Sequence, residues 1–170
     1  MMEFSQDKFD KLEKSKGYEL SKRYYINIEG NEDLRTLNEK MAQCVRNSQE
    51  IDWVVRELEY KETYAKDALR AAEQAVELKS SGCYLSTINE SEKVGKRATD
   101  KYASSAAIDE IRKSAEFVAL EDARKDYLFA KATAQRWAGL QKQMNFVFEA
   151  LKTTGIHYMA EAKITATIRQ

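Results

Sequence analysis

Apolar residues recur along this chain in steps of three and four over two long stretches. The first runs through Leu34, Leu37, Met41, Cys44, Ser48, Ile51, Val55, Leu58, Glu62, Ala65, Leu69, Ala72 and Val76, and only Ser48 and Glu62 are polar. A sustained alternation of this kind is the heptad seam of a coiled coil or a long bundle helix. Asn31 stands where an N-cap belongs, and Glu32 and Asp33 suit the positive end of a helix dipole. Lys79 followed by Ser80-Ser81-Gly82 forms a stop signal. The pattern predicts a long helix over residues 31–79.

The second stretch predicts a helix from about Ala106 to Thr153. It opens with Ile108, Ile111, Ala115 and Val118 on one face, then follows Ala119, Ala123, Asp126, Ala130, Thr133, Trp137, Leu140, Met144, Val147 and Leu151. The seam shifts by one residue near Val118, as expected when 3.6 residues per turn drift against a seven-residue repeat. Lys152 in the last turn and Gly155 behind it read as the stop, with a C-terminal helix or tail over 157–170. Residues 80–105 read as a connector with a basic segment and room for a short helix.

Residues 1–30 form an N-terminal arm. Phe4, Phe9 and Leu12 give it a weak helical pattern that Gly17 breaks. The following YELSKRYYINIEG is ambiguous: Ile26 and Ile28 alternate as in a strand, but a loop or an arm packed on a neighbour fits equally.

Composition supports the helical reading. The 170 residues include no proline and only 6 glycines, and a third are charged. That mixture favours helices over sheets. The predicted fold is all-α, with long helices in a helical hairpin or coiled-coil-like bundle. Two such helices carry more apolar stripe than one chain can bury on itself, which predicts a homo-oligomer with helices shared between copies. Asp126, Trp137, Leu140, Met144, Val147 and Leu151 are the expected interface. Asp126 sits among alanines there, where a carboxylate needs a partner and can fix register.

Net charge is zero, so no global field favours nucleic acid. The halves differ modestly: residues 1–79 hold 14 basic and 17 acidic side chains, and residues 80–170 hold 14 and 11. Cys44 and Cys83 lie in no CxxC or Cys/His cluster and read as ordinary thiols of a reducing cytoplasm. No signal peptide opens the sequence and no apolar run is long enough for a membrane span, so the expectation is a cytoplasmic protein without membrane contact.

Chemistry is sparse. His157 is the single histidine, and neither GxxxxGK[ST] nor GxGxxG occurs. No nucleophile elbow or carboxylate pair stands out, so no enzyme activity, metal or cofactor is expected. The one local signal is SEKVGKRATDKY. Lys93, Lys96, Arg97 and Lys101 share one face if this segment is helical, with Tyr102 beside them. Such a face binds phosphates by charge and stacks a base on the ring. Glu90, Glu92 and Asp100 nearby offer the plainer reading of a solvated, self-paired face.

One fragment carries more information. Ala123-x-Lys125-Asp126, then Trp137 and Leu140, then Glu149-Ala150-Leu151-Lys152-Thr153-x-Gly155-Ile156 resembles the C-terminal half of the UvsY family, the recombination mediators of T-even-type phages. The resemblance covers Ala123 to Ile156, one fifth of the chain. That family also has a basic Lys-Ala-Arg-Leu motif followed by tyrosines. The nearest stretch here, Lys66-Asp67-Ala68-Leu69-Arg70, departs from it in spacing and has alanines for the tyrosines. The resemblance implies a helical, ring-forming protein that binds single-stranded DNA and displaces single-strand binding protein. It would thereby load a RecA-like recombinase in the host-cell cytoplasm. Lys66, Arg70 and Lys152 join the Lys93–Tyr102 segment as DNA-binding candidates on this basis. The alternative is a coiled-coil scaffold, or a protein-binding adaptor or inhibitor, with no nucleic-acid role.

Overall fold

The computed structural model describes residues 5–28, 33–95 and 99–168. The described residues form five helices in order: α1 (Gln6–Lys14), α2 (Gly17–Arg23), α3 (Leu34–Lys93), α4 (Asp100–Ile111) and α5 (Ala115–Ile168). No strand occurs among the described residues. The all-α class and the hairpin-like pairing of α3 with α5 are as the periodicity predicts. The two helices run antiparallel, with Cys44 against Met144 and Lys79 against Glu116.

The element boundaries differ from those the local signals predict. Helix α3 begins with Asp33 as its cap, whose carboxylate accepts from the Thr36 amide at 2.7 Å. This bond holds the Asp33 carboxyl below its ordinary value. Asn31 lies outside the described residues. Ser80-Ser81-Gly82 does not end the helix, which continues to Lys93. The Ser81 hydroxyl donates to the Glu77 carbonyl at 3.1 Å, so the serine stays within the helical pattern. The actual break follows Lys93, where Gly95 takes φ +70°, a left-handed conformation that suits glycine.

The predicted second helix is interrupted near its start. Helix α4 ends at Ile111, and the Ser114 hydroxyl then accepts from the Phe117 amide at 3.2 Å, capping α5. Thr153-Thr154-Gly155 is no stop either. Thr153 and Thr154 donate to the carbonyls of Glu149 and Ala150, and α5 runs on to Ile168.

The chain divides into two compact units, residues 1–59 with 133–170, and residues 60–132. In the first, α1 and α2 lie on the paired segments of α3 and α5. Its core holds Phe9, Leu12, Leu37, Ile51, Val54, Leu58, Trp137 and Leu151, each 2% exposed or less. Trp53 closes one side, edge-on to Phe9 at 5.8 Å between ring centroids. Residues 5–28 of the N-terminal segment therefore pack on this core and form no strand. Residues 17–23 are helical, and Tyr24 and Ile26 enter this core.

The second unit is built from the remaining parts of α3 and α5 with α4. Its buried apolar residues are Cys83, Ala103, Ala107, Ile111 and Leu120, most of them small. The seam positions Glu62, Ala65, Leu69, Ala72 and Val76 are only half-buried there.

Candidate functional site

The expected oligomer interface resolves into internal packing. Trp137, Met144 and Leu151 are buried by the chain's own helices, with Leu140 and Val147 packed half-buried beside them. No second copy is needed to cover them. Asp126 is exposed, and so is Ala119. The reason lies in the repeat. Ala123, Ala130, Trp137, Met144 and Leu151 are seven apart, and either neighbouring line can complete the stripe. In the second unit α5 turns Leu120 and Tyr127 inward instead of Ala119 and Asp126.

The DNA-binding candidates fall in several places. Lys93 ends α3, while Lys101 and Tyr102 lie in the first turn of α4, behind the Thr99 cap. All three are exposed. They do not share one helix face, because the Gly95 turn separates the helices. Lys96 and Arg97 lie outside the described residues. Asp100 accepts from the Tyr84 hydroxyl at 3.1 Å, which raises the phenol's pKa and commits that carboxylate to structure.

Lys66 and Arg70 are exposed on α3 one turn apart, and Arg70 stands 3.8 Å from Asp67. Lys152 belongs to the first unit and pairs with Glu149 at 3.6 Å. Exposed pairs of this kind contribute little and open readily for another partner.

The most elaborate polar constellation was not legible in the sequence. Glu50 is 6% exposed and receives Lys8, Arg23 at 3.1 Å and the Tyr24 hydroxyl at 2.9 Å. Burial opposes ionisation of Glu50, but the bonds from Lys8 and Tyr24 and the charge of Arg23 outweigh it and lower its pKa. Tyr24 is pushed well above its ordinary value, first by burial and then by Glu50. Its ring meets Trp137 edge-on at 6.0 Å. Lys8, Arg23 and Tyr24 all converge on Glu50, which suits a structural clamp joining α1 and α2 to α3. Periodicity has no signal for it, because the partners lie far from Glu50 in sequence.

The cysteines are packing residues. Cys44 donates to the Met144 sulfur at 3.3 Å, and burial raises its pKa. Burial and then the nearby Glu110 raise that of Cys83. A raised thiol pKa leaves little of the reactive thiolate. His157 is exposed on α5. No group of three or more His, Cys, Asp or Glu residues placed to hold a metal occurs among the described residues. No described helix is long and apolar enough to cross a membrane.

A second feature missed by the periodicity lies in the second unit. From Tyr64, α3 carries another heptad line on the side away from its seam: Tyr64, Ala68, Ala71, Ala75, Leu78, Gly82 and Leu85, with Tyr60 one turn before it. Every one of these residues is exposed. Alanines are too common in helices to mark such a line in sequence. Beside its C-terminal end, Ser81, Tyr84 and Leu85 of α3 and Ser104, Ala107 and Ile108 of α4 wall a cavity of about 440 Å³.

Comparisons with protein-family models, with characterised proteins and with solved structures return no match for this chain.

Proposed function

We propose that this protein is a recombination mediator that binds single-stranded DNA and helps a RecA-like recombinase replace single-strand binding protein. The supporting observation is the exposure of Lys93 at the end of α3 and of Lys101 and Tyr102 at the start of α4, taken with the UvsY-like fragment of α5. Cations that track phosphates beside a ring that stacks bases are the usual elements of single-strand binding. Modest contacts of this kind gain strength by repetition in an assembly, through effective concentration rather than new chemistry. The zero net charge is compatible with such a local site.

Fluorescence anisotropy with a labelled single-stranded oligonucleotide tests the reading. Binding at about 50 mM salt should weaken steeply as salt rises, as counterion release requires. Joint charge reversal at Lys93, Lys96, Arg97 and Lys101 should weaken it further. An assembled protein that ignores the oligonucleotide at low salt would rule the reading out.

A second reading, a scaffold or protein-binding adaptor, is favoured by the exposed apolar line on α3. Stable capture of one protein partner, with no response to DNA, would select it.

A further inference from the structure

We propose that the outer face of α3 between Tyr60 and Leu85 pairs antiparallel with the same face of a second copy, seating the tyrosines of each chain in the α3–α4 cavity of the other. The inference is independent of the DNA-binding reading and names a different surface from the one the periodicity suggests.

The exposed line is bulky at its start, small in the middle and open near its end. Tyr60 and Tyr64 are 74% and 79% exposed. Ala68, Ala71 and Ala75 follow, which allow two helix axes to approach closely. At the far end lie Gly82 and the cavity of about 440 Å³. An added Cβ at Gly82 would meet nothing within 4 Å, so the space above it is open. A protrusion and a recess on one helix, about 27 Å apart along it, make the face self-complementary under a two-fold axis. That is the requirement for an isologous dimer.

Register follows from the heptad. In an antiparallel pair, Tyr64 faces the partner's Gly82, Ala68 faces the partner's Leu78, and Ala71 faces the partner's Ala75. Each layer then sets large against small or small against small. A parallel pair would instead stack Tyr64 on its own copy and glycine on glycine, leaving one layer overfilled and another hollow. Close packing of interfaces disfavours both defects.

Chemistry agrees. Tyrosine is an amphipathic anchor, and the Ser81 and Ser104 hydroxyls on the cavity wall can meet its phenol. No net positive charge gathers around the rings to draw a nucleic-acid strand there: one turn from them, Arg56 and Lys61 are matched by Glu57 and Asp67. Four rings burying about 150 Å² each, together with the leucines, alanines and cavity walls they cover, reach the roughly 1,200 Å² of the smaller stable interfaces.

Sedimentation and cross-linking of the full chain test the proposal. The wild type should dimerise, and a Tyr60→Glu/Tyr64→Glu variant of unchanged helicity should weaken the dimer about 30-fold or more. Leu78→Asp provides the same test from mid-helix should that variant lose helicity. Tyr64→Cys should form a disulfide with Gly82→Cys when the two variants are mixed, and neither should do so with itself. A wild-type monomer at about 100 µM, an undiminished dimer in both surface variants, or self-linked Tyr64→Cys would each overturn it. So would a variant that keeps the wild-type mass but loses an oligonucleotide, which would assign the rings to nucleic acid.

Discussion

The two units use the same α3 and α5 and reach different interiors. In the unit formed by residues 1–59 and 133–170, two further helices and the Tyr24–Ile26 segment cover the pair, and large residues such as Trp137, Phe9 and Leu58 are sealed. In the unit formed by residues 60–132, α4 is the only added helix among the described residues. The buried apolar set there is two alanines, Ala103 and Ala107, with Cys83, Ile111 and Leu120. A heptad stripe therefore does not fix how well a helix is buried. Side-chain size along the stripe and the number of helices laid over it do.

Four measurements test that contrast. Trp137→Ala should be the most damaging, costing about 3–5 kcal/mol, as large-to-small changes in sealed cores do. Chemical denaturation followed by circular dichroism measures it, and a loss under about 1 kcal/mol would mean that the first unit is not sealed around the indole.

Glu50→Gln should cost about 1–3 kcal/mol, since it removes charge-assisted bonds while Lys8 and Arg23 can still reach water. The pH dependence has a definite sign. The folded pKa of Glu50 is lowered, so its contribution is complete above the unfolded value of about 4.3 and disappears as pH falls through the folded value. The gap between wild type and variant should close in acid. A gap independent of pH would assign the loss to shape rather than charge.

Hydrogen exchange compares the units directly. Amides of α3 and α5 in residues 60–132 should open at least about 1 kcal/mol more easily than those packed around Trp137. Their protection should increase with protein concentration if the outer face of α3 pairs between copies. Equal protection in dilute solution would remove the contrast.

Asp126→Ala should change stability by less than about 0.5 kcal/mol, as exposed substitutions usually do. A large loss would restore the register role that the seam suggested for this carboxylate.

Much of the fold was legible because the seven-residue spacing of Trp137, Met144 and Leu151, and of Leu37, Cys44, Ile51 and Leu58, carries it directly. The helix ends were not. Glycine in a helix costs about 1 kcal/mol, and packing along the neighbouring helices overrides it at Gly82 and Gly155. The same residue type does end α3 at Gly95, where the chain must turn. Serine and threonine carry the same ambiguity: Ser114 caps a helix, whereas Ser81 and Thr153 stay inside one. The site was less legible than the fold. Lys93 and Lys101 depend on where the turn falls, and the Glu50 clamp joins residues about 26 or more positions apart in sequence.

The indole of Trp137 is fully buried, and its Nε1 finds no hydrogen-bond partner among the described residues. A ring held away from water and from acceptors emits at short wavelength, because nothing around it relaxes to stabilise its excited dipole. The chain thus carries an intrinsic optical reporter for one of its two units. With Trp53 replaced by Phe, a red shift in emission would mark the moment the first unit admits water, while residues 60–132, which contain no tryptophan, stay silent.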